Sequence, residues 1–367
     1  MELKNYWWLV IWLFVGGGFF AFYIPRQPEK LCGRTVWRWH WLAALGLAFP
    51  YWLWAAGRRY FGDSWAYLTS FHKAPGSLQE LGSYVMTSDK DKGFSALVVL
   101  IKALVGDSDI LYFGVIAGIQ ILCLVYVYRK YSSSYWVSMF LFVASTDYLS
   151  WMQNGMRQFL ACALIFAGFT WMVQKKYLPL ILLILLASTI HGSALIMLPI
   201  VFLVQGKAMS KRTVFTVAAM LLIVLSIDKF TPLLGELLAD TQYSDMMGNE
   251  IWASDDGTNV IRVLVYSVPA LLAIAGRHYI WQEDDPVINL SVNCSLITMG
   301  LYAIAAVSSG IYIGRLPIYT TLMGYISLPW ILDHMFTKGS AQFMKVMMVL
   351  GFLAFFYFQM HFTWALL

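Results

Sequence analysis

Apolar runs alternate with polar links along almost the whole chain, and most of the runs approach the length of a membrane-crossing helix. Each helical residue advances about 1.5 Å, so roughly 20 apolar residues are needed to cross the hydrocarbon core of a bilayer. The pattern therefore predicts an all-α polytopic membrane protein with about 12 transmembrane helices. These helices are expected at residues 6–23, 39–56, 110–128, 135–151, 156–173, 177–190, 193–204, 213–227, 260–275, 288–308, 316–332 and 344–364.

The apolar run at residues 94–105 is shorter, and at about a dozen residues it favours an interfacial or re-entrant helix over a span. Lys and Arg accumulate on the cytoplasmic side of membrane proteins. If this run does not cross, the basic clusters at residues 26–38, 129–130, 175–176, 207–212, 277 and 338–345 all face the cytoplasm. The sequence thus predicts one transmembrane domain over residues 1–367, with external loops at 57–93, before the interfacial helix 94–105, and at 229–259.

The composition, with 60% hydrophobic and 12% charged residues, is that of an integral membrane protein. The basic residues are scattered rather than grouped in a stripe, which argues against nucleic-acid binding. The four cysteines form no CxxC pair, and no Walker or GxGxxG sequence occurs. No disulfide framework, metal site, nucleotide site or cofactor is therefore predicted. The first apolar run lacks a small-residue cleavage site and is expected to remain as a span.

Residues 154–193 contain two apolar runs joined by a two-lysine turn, which predicts a membrane hairpin. Arg157 stands at the entrance of the first run and His191 at the exit of the second, so both side chains reach the same membrane surface. An ionisable residue at the edge of a span is costly unless it faces a cavity or a partner. Arg157 and His191 are therefore the leading candidates for a functional site at this membrane surface.

The predicted topology places five chemically useful side chains at or just beneath the outer face: Asp63, Tyr67, Arg157, His191 and Arg315. A guanidinium is a planar fork that holds phosphate oxygens in a bidentate fashion. Histidine titrates near neutral pH and can move a proton or hydrogen-bond a leaving phosphate. Asp63 follows the end of a span and could act as a general base.

Each of these residues also has a simpler interpretation. Arg157 could be an interfacial anchor whose charge reaches the lipid headgroups, and His191 a structural residue at a helix end. A loop aspartate such as Asp63 is usually only solvated. The acidic loop around Asp255 is interpreted as a solvated lid, with binding of a divalent cation as the alternative.

Four segments resemble the EpsG family of bacterial polysaccharide polymerases, which work as Wzy-type enzymes. They are residues 62–67 (GDSWAY), 92–94 (KGF), 157–161 (RQFLA) and 190–194 (IHGSA). The last two are the most specific. The family often has an acidic residue shortly before the glycine-phenylalanine pair, and here Asp91 precedes Lys92, although the resemblance assigns it no role.

The resemblance implies a GT-C-like, all-helical glycosyltransferase in the bacterial cytoplasmic (inner) membrane, with its active site facing the periplasm or exterior. Donor and acceptor would be glycans linked to undecaprenyl diphosphate, as in O-antigen or exopolysaccharide biosynthesis, with a chain-length regulator as a possible partner. Asp63 and His191 would be catalytic, with their roles exchangeable. Substrate binding would fall to Arg157, Arg315, Tyr67 and Gln158. A glycan ligase, a membrane acyltransferase, and a flippase or transporter of lipid-linked sugars are the alternatives.

Overall fold

A computed structural model of the protein describes residues 5–58, 61–88, 90–227, 257–310 and 312–367. The helices are α1 Trp7–Tyr23, α2 Trp41–Ala56, α3 Ser64–Lys73, α4 Leu81–Met86, α5 Lys92–Val105, α6 Asp109–Tyr131, α7 Tyr135–Ala144, α8 Met156–Ala167, α9 Phe169–Val173, α10 Tyr177–Ile190, α11 Met197–Leu203, α12 Lys211–Leu225, α13 Val260–Ala275, α14 Arg277–Glu283, α15 Pro286–Val307, α16 Ile318–Met335 and α17 Lys338–Phe358. Most of the predicted external loop at 229–259 lies outside these residues.

The chain divides into two compact units, Met1–Leu195 with Phe336–Leu367, and Ile196–Met335. In the first unit α6 packs against both α2 and α8, and α8 packs against α10. In the second unit α15 is central and packs against α12, α13 and α16. Polar side chains of α15 satisfy backbone groups there, since Oδ1 of Asn293 accepts the Met209 N–H at 3.0 Å and its amide donates to the Val204 carbonyl at 2.9 Å.

Three of the described helices are long and apolar enough to cross a membrane: α6, α15, and α17 extended to Thr363. The bent pair α13 and α14 makes a fourth if it counts as one span, and six shorter apolar helices accompany them. Helices built almost wholly from apolar residues satisfy their own backbone groups, which is what a bilayer demands. The chain is an all-α membrane protein.

One predicted helix, residues 135–151, is interrupted in the structure. The helix α7 ends at Ala144, and Thr146 has a positive φ of 67°, which an α-helix does not allow. The chain then makes a π-helical turn at Tyr148–Asn154 before α8 begins. This turn delivers Asn154 to the start of α8.

The basic link between α1 and α2 forms a β-hairpin, which the hydropathy pattern did not predict. Its strands, β1 Gln27–Leu31 and β2 Arg34–Arg38, pair antiparallel. The turn residues Cys32 and Gly33 have φ values of 48° and 80°, as a two-residue type I′ turn requires. Arg38 donates to the carbonyls of Lys130 at 2.9 Å and Ser132 at 2.8 Å. The start of α2 and the end of α6 therefore lie on the same side of the first unit.

A buried ion pair reinforces this contact between the hairpin and α6. The guanidinium of Arg129 is 1% exposed and bonds the Glu29 carboxylate at 2.7 Å. It also donates to the Trp39 carbonyl at 2.7 Å and lies 4.1 Å from the Trp41 ring centroid. Glu29 thus carries the charge that compensates a guanidinium removed from water.

We expect Glu29→Gln to lower the thermal unfolding midpoint of the purified protein by several degrees. The substitution leaves the buried Arg129 charge uncompensated, which costs about 1–3 kcal/mol. Lys30→Gln, an exposed change on the same strand, is the matched control and should melt like the wild type. Equal midpoints for Glu29→Gln and the wild type would mean that the ion pair contributes no stability.

Candidate functional site

The turn that carries Asp63 is fixed against the start of α8. Asp63 is exposed, and its backbone N–H donates to Oδ1 of Asn154 at 2.8 Å. Gly62 before it has a φ of 51°, and a Cβ at Gly62 would lie 2.0 Å from the same Oδ1. Only glycine satisfies both the conformation and the space. Asp63 is therefore held at an exposed position beside the start of α8.

Tyr67 lies one helical turn after Asp63, on α3. Its ring packs edge-on against Phe94, with the centroids 6.2 Å apart, and its hydroxyl contacts the backbone of Arg157. Burial raises the pKa of the Tyr67 phenol, against the opposing effect of the Arg157 charge and backbone contact. The phenol is therefore a neutral hydroxyl at neutral pH, placed at the N-terminus of α8.

Asp91 connects Arg157 to the segment that follows α10. Its Oδ2 lies 3.1 Å from Nη1 of Arg157, and the two side chains are 8% and 29% exposed respectively. Its Oδ1 accepts the backbone N–H of Gly192 at 3.2 Å. Asp91 has a φ of 53°, a left-handed conformation that aspartate tolerates better than most residues. One carboxylate thus holds both ends of the predicted hairpin together.

His191 ends α10 with an extended backbone, at φ −155° and ψ 116°. Its Nδ1 and the Ser193 hydroxyl are 2.7 Å apart and form a hydrogen bond, and the ring is half-buried. The Gly192 amide that Asp91 binds follows His191 directly. The structure therefore brings the His191 turn to the Asp91–Arg157 pair, as the hairpin prediction required.

Gly93 allows α5 to approach α10 at this point. A Cβ on Gly93 would lie 2.0 Å from the Thr189 hydroxyl oxygen and 2.9 Å from the Thr189 backbone carbonyl carbon. A side-chain rotation can relieve the first clash but not the second. The KGF segment therefore contributes close backbone packing that keeps Asp91 next to Gly192.

We expect Gly93→Ala to destabilise the protein by about 1–3 kcal/mol, the usual cost of overpacking, and to lower its unfolding midpoint. Gly82→Ala is the matched control, because Gly82 is an exposed glycine of α4 where an added Cβ would meet nothing within 4 Å. A midpoint for Gly93→Ala equal to that of Gly82→Ala would refute the close-packing role.

The two remaining predicted residues are Gln158 and Arg315. Gln158 is 4% exposed and turns into the helix packing of the first unit. Arg315 belongs to the second unit, where it is exposed at the end of the 3-10 turn Ile313–Arg315. That turn is tightly packed, since a Cβ on Gly314 would lie 2.6 Å from the Thr258 hydroxyl oxygen.

The sequence prediction missed three residues that lie at the start of α8 together with Arg157: Asp91, Asn154 and Arg58. Asp91 was signalled only by the family's acidic residue before a glycine-phenylalanine pair. Asn154 opens the hairpin stretch and carries no chemistry of its own. Arg58 follows α2 and is buried, with 6% of its surface exposed. Its position directly after an apolar run looks like that of an ordinary interfacial anchor.

The cluster combines two chemical capabilities. The first turn of α8 presents the positive end of a helix dipole and the Arg157 guanidinium, and both favour an anion. Asp63 and His191 can accept or deliver protons beside it. Among the residues with described positions, no group of three or more His, Cys, Asp and Glu side chains could hold a metal ion.

A family model, that of the EpsG family, matches residues 42–365. The chain belongs to the EpsG family. No curated protein and no solved structure matches it. The match confirms the resemblance drawn from the four segments, and it covers every candidate residue of this EpsG-family protein. The helix α1 and the β-hairpin precede the matched region.

Proposed function

We propose that this EpsG-family protein is a Wzy-type polysaccharide polymerase. It joins oligosaccharide repeat units carried on undecaprenyl diphosphate, at the outer face of the bacterial cytoplasmic membrane. One growing lipid-linked chain is the donor and one lipid-linked repeat unit is the acceptor. The energy of the reaction is contained in the donor's bond to diphosphate, so no nucleotide is needed.

The observation that carries this proposal is the setting of Arg157. Its guanidinium lies at the N-terminus of α8, is 29% exposed and is oriented by the Asp91 carboxylate. Arginine and a helix N-terminus together suit a phosphate group. A polyprenyl diphosphate has its tail in the bilayer and its diphosphate at the water boundary. The sequence predicts Arg157 at that same boundary.

In the proposed reaction an acceptor hydroxyl attacks the anomeric carbon of the donor sugar. The new carbon–oxygen bond forms as the bond between that carbon and the diphosphate oxygen breaks. The hydroxyl proton passes to Asp63, or to His191 if the two exchange roles, and undecaprenyl diphosphate leaves. Arg157 and Arg315 neutralise the diphosphate, while Tyr67 and Gln158 help to bind and position the substrates.

The membrane arrangement that accompanies this proposal is a GT-C-like bundle of about 12 transmembrane helices with α5 lying in the outer interface. The hairpin contact supports the position of α5. Because the start of α2 and the end of α6 share one side of the first unit, an even number of crossings separates them. The helices α2 and α6 supply two crossings. In this arrangement α5 does not cross the membrane and lies on the side opposite to the β-hairpin.

The direct test uses purified protein in detergent with the lipid-linked repeat unit of its own pathway, resolved on a gel. We expect a ladder of polymer from the wild type and none from Asp63→Asn. The matched control is Glu80→Gln, another exposed carboxylate of the same loop, which should give the wild-type ladder.

The alternatives give different results in the same pathway. A ligase or acyltransferase would leave chain length unchanged when the protein is lost. A flippase would leave lipid-linked precursors on the inner side of the membrane, whereas loss of a polymerase leaves single repeat units on the outer side. No ladder from folded protein with authentic substrate would refute the polymerase.

A further inference from the structure

Arg58 is a buried cation. Among the residues that the structure describes, no carboxylate pairs with it, and burial lowers its pKa to about 10, which leaves it charged at neutral pH. Its Nη1 donates to the carbonyls of Ala55 at 3.1 Å and Met152 at 3.3 Å. Its guanidinium lies 3.9 Å from the Phe113 ring centroid. These contacts offset part of the desolvation cost and leave the charge itself unneutralised.

The position of Arg58 relates it to the site already described. Its Nη2 lies 2.7 Å from the sulfur of Met156, the residue that opens α8 and precedes Arg157. Its guanidinium lies over the ring of Phe113, which follows Tyr112 on α6. Two guanidinium groups therefore lie in the volume around the first turn of α8, since Arg58 contacts Met156 and Arg157 is the next residue.

Three polar groups in this volume are buried and lack a hydrogen-bond partner among the described residues: Nε of Arg58, the hydroxyl of Tyr112 and Nε of Arg157. All three can donate a hydrogen bond. Buried donors are nearly always satisfied, so three unsatisfied ones beside two cations favour the binding of an acceptor there. The acceptor that suits two guanidinium groups and a hydroxyl is a phosphate-class anion.

We propose that Arg58, Tyr112 and Arg157 form a buried phosphate subsite beneath α3. The proposal rests on the polymerase function and deepens it, because the subsite would take one phosphate of the polyprenyl diphosphate. Asp91 pairs with Arg157 and Arg58 contacts the preceding residue, Met156, so Arg58 adds a second cation beside the Asp91–Arg157 pair. The positive end of the α8 dipole favours the same anion.

The simpler interpretation of Arg58 is a structural clamp, since its bonds to the Ala55 and Met152 carbonyls tie α2 to the π-helical turn. A clamp predicts that substitution lowers stability without changing affinity for an anion. Tyr112→Phe separates the two roles, because it removes an unsatisfied hydroxyl and leaves every bond of Arg58 in place.

The test measures binding of farnesyl diphosphate, a prenyl diphosphate without sugar, to the full-length protein in detergent by calorimetry. We expect Arg58→Gln to raise the Kd about tenfold to a hundredfold, and Tyr112→Phe to raise it by about threefold to tenfold. Arg58→Lys keeps the charge but loses the fork and should lie between Arg58→Gln and the wild type. Arg212→Gln, which removes an exposed arginine of the second unit, should bind like the wild type.

An unchanged Kd in folded Arg58→Gln overturns the subsite, and so does an unchanged Kd in Tyr112→Phe if Arg58→Gln does not fold. Binding that depends on Arg58 while no polymer ladder forms supports the subsite and counts against the polymerase. A normal ladder together with Arg58-independent binding refutes the subsite alone. The phosphate subsite and the polymerase function can therefore be refuted independently of each other.

Discussion

Arg157→Lys should reduce the rate of polymer formation roughly 100-fold to 1,000-fold, the usual effect of removing one group that stabilises developing negative charge. Arg157→Ala should abolish the ladder. Lysine keeps the charge but is a point donor, so it cannot hold Asp91 and a phosphate oxygen with one planar group. The measurement is the initial rate of ladder formation by purified protein at saturating lipid-linked repeat unit.

A structural effect of the substitution has to be separated from a chemical one. Arg157→Ala leaves the Asp91 carboxylate, which is 8% exposed, without its cation, and a buried unpaired charge is destabilising. Arg157→Lys preserves a cation for Asp91, so its unfolding midpoint should stay near that of the wild type. Polymer of normal length from Arg157→Ala would remove the residue from the proposed site.

Most helices could be predicted from hydropathy, because an apolar segment in a bilayer must satisfy its own backbone hydrogen bonds and a helix does so. The predicted run at 177–190 matches α10, and the run at 260–275 matches α13. The interruption after α7 was not predictable in this way. It depends on the positive φ of Thr146, and threonine carries no sequence signal for that conformation.

The β-hairpin was missed for a different reason. Its basic residues were taken only as a topology signal. However, Arg38 and Glu29 also make specific contacts with the end of α6. The distribution of Lys and Arg predicts which side of a membrane a loop prefers, but not which partner a charge will find there.

The sequence predicted the meeting of Arg157 with the His191 turn, because two runs of similar length joined by a short turn return to one surface. It did not predict the residue that joins them. Asp91 reaches both partners through a left-handed backbone and the close approach of Gly93 to Thr189. Such contacts follow from packing between distant segments, which local patterns do not encode. Arg315 stays a substrate-binding prediction, as does Gln158.

Asp91→Ala should lower the rate of polymer formation by about 100-fold, because an error of about 1 Å in a positioning group can cost that much. Asp91→Asn tests which of its two contacts matters. The asparagine oxygen can still accept the Gly192 N–H, but the side chain carries no charge for Arg157. We expect Asp91→Asn to resemble Asp91→Ala, with the loss in kcat and with the KM for the repeat unit changed by less than about threefold.

A double-mutant cycle with Arg157→Lys decides whether Asp91 works through the arginine. Residues in direct contact couple by about 0.5–3 kcal/mol, whereas independent residues show additive effects. If Asp91 orients Arg157, adding Asp91→Asn to Arg157→Lys should cost little further activity. Full additivity would mean that Asp91 acts only through its bond to the Gly192 N–H. Asp91 would then position His191 rather than Arg157.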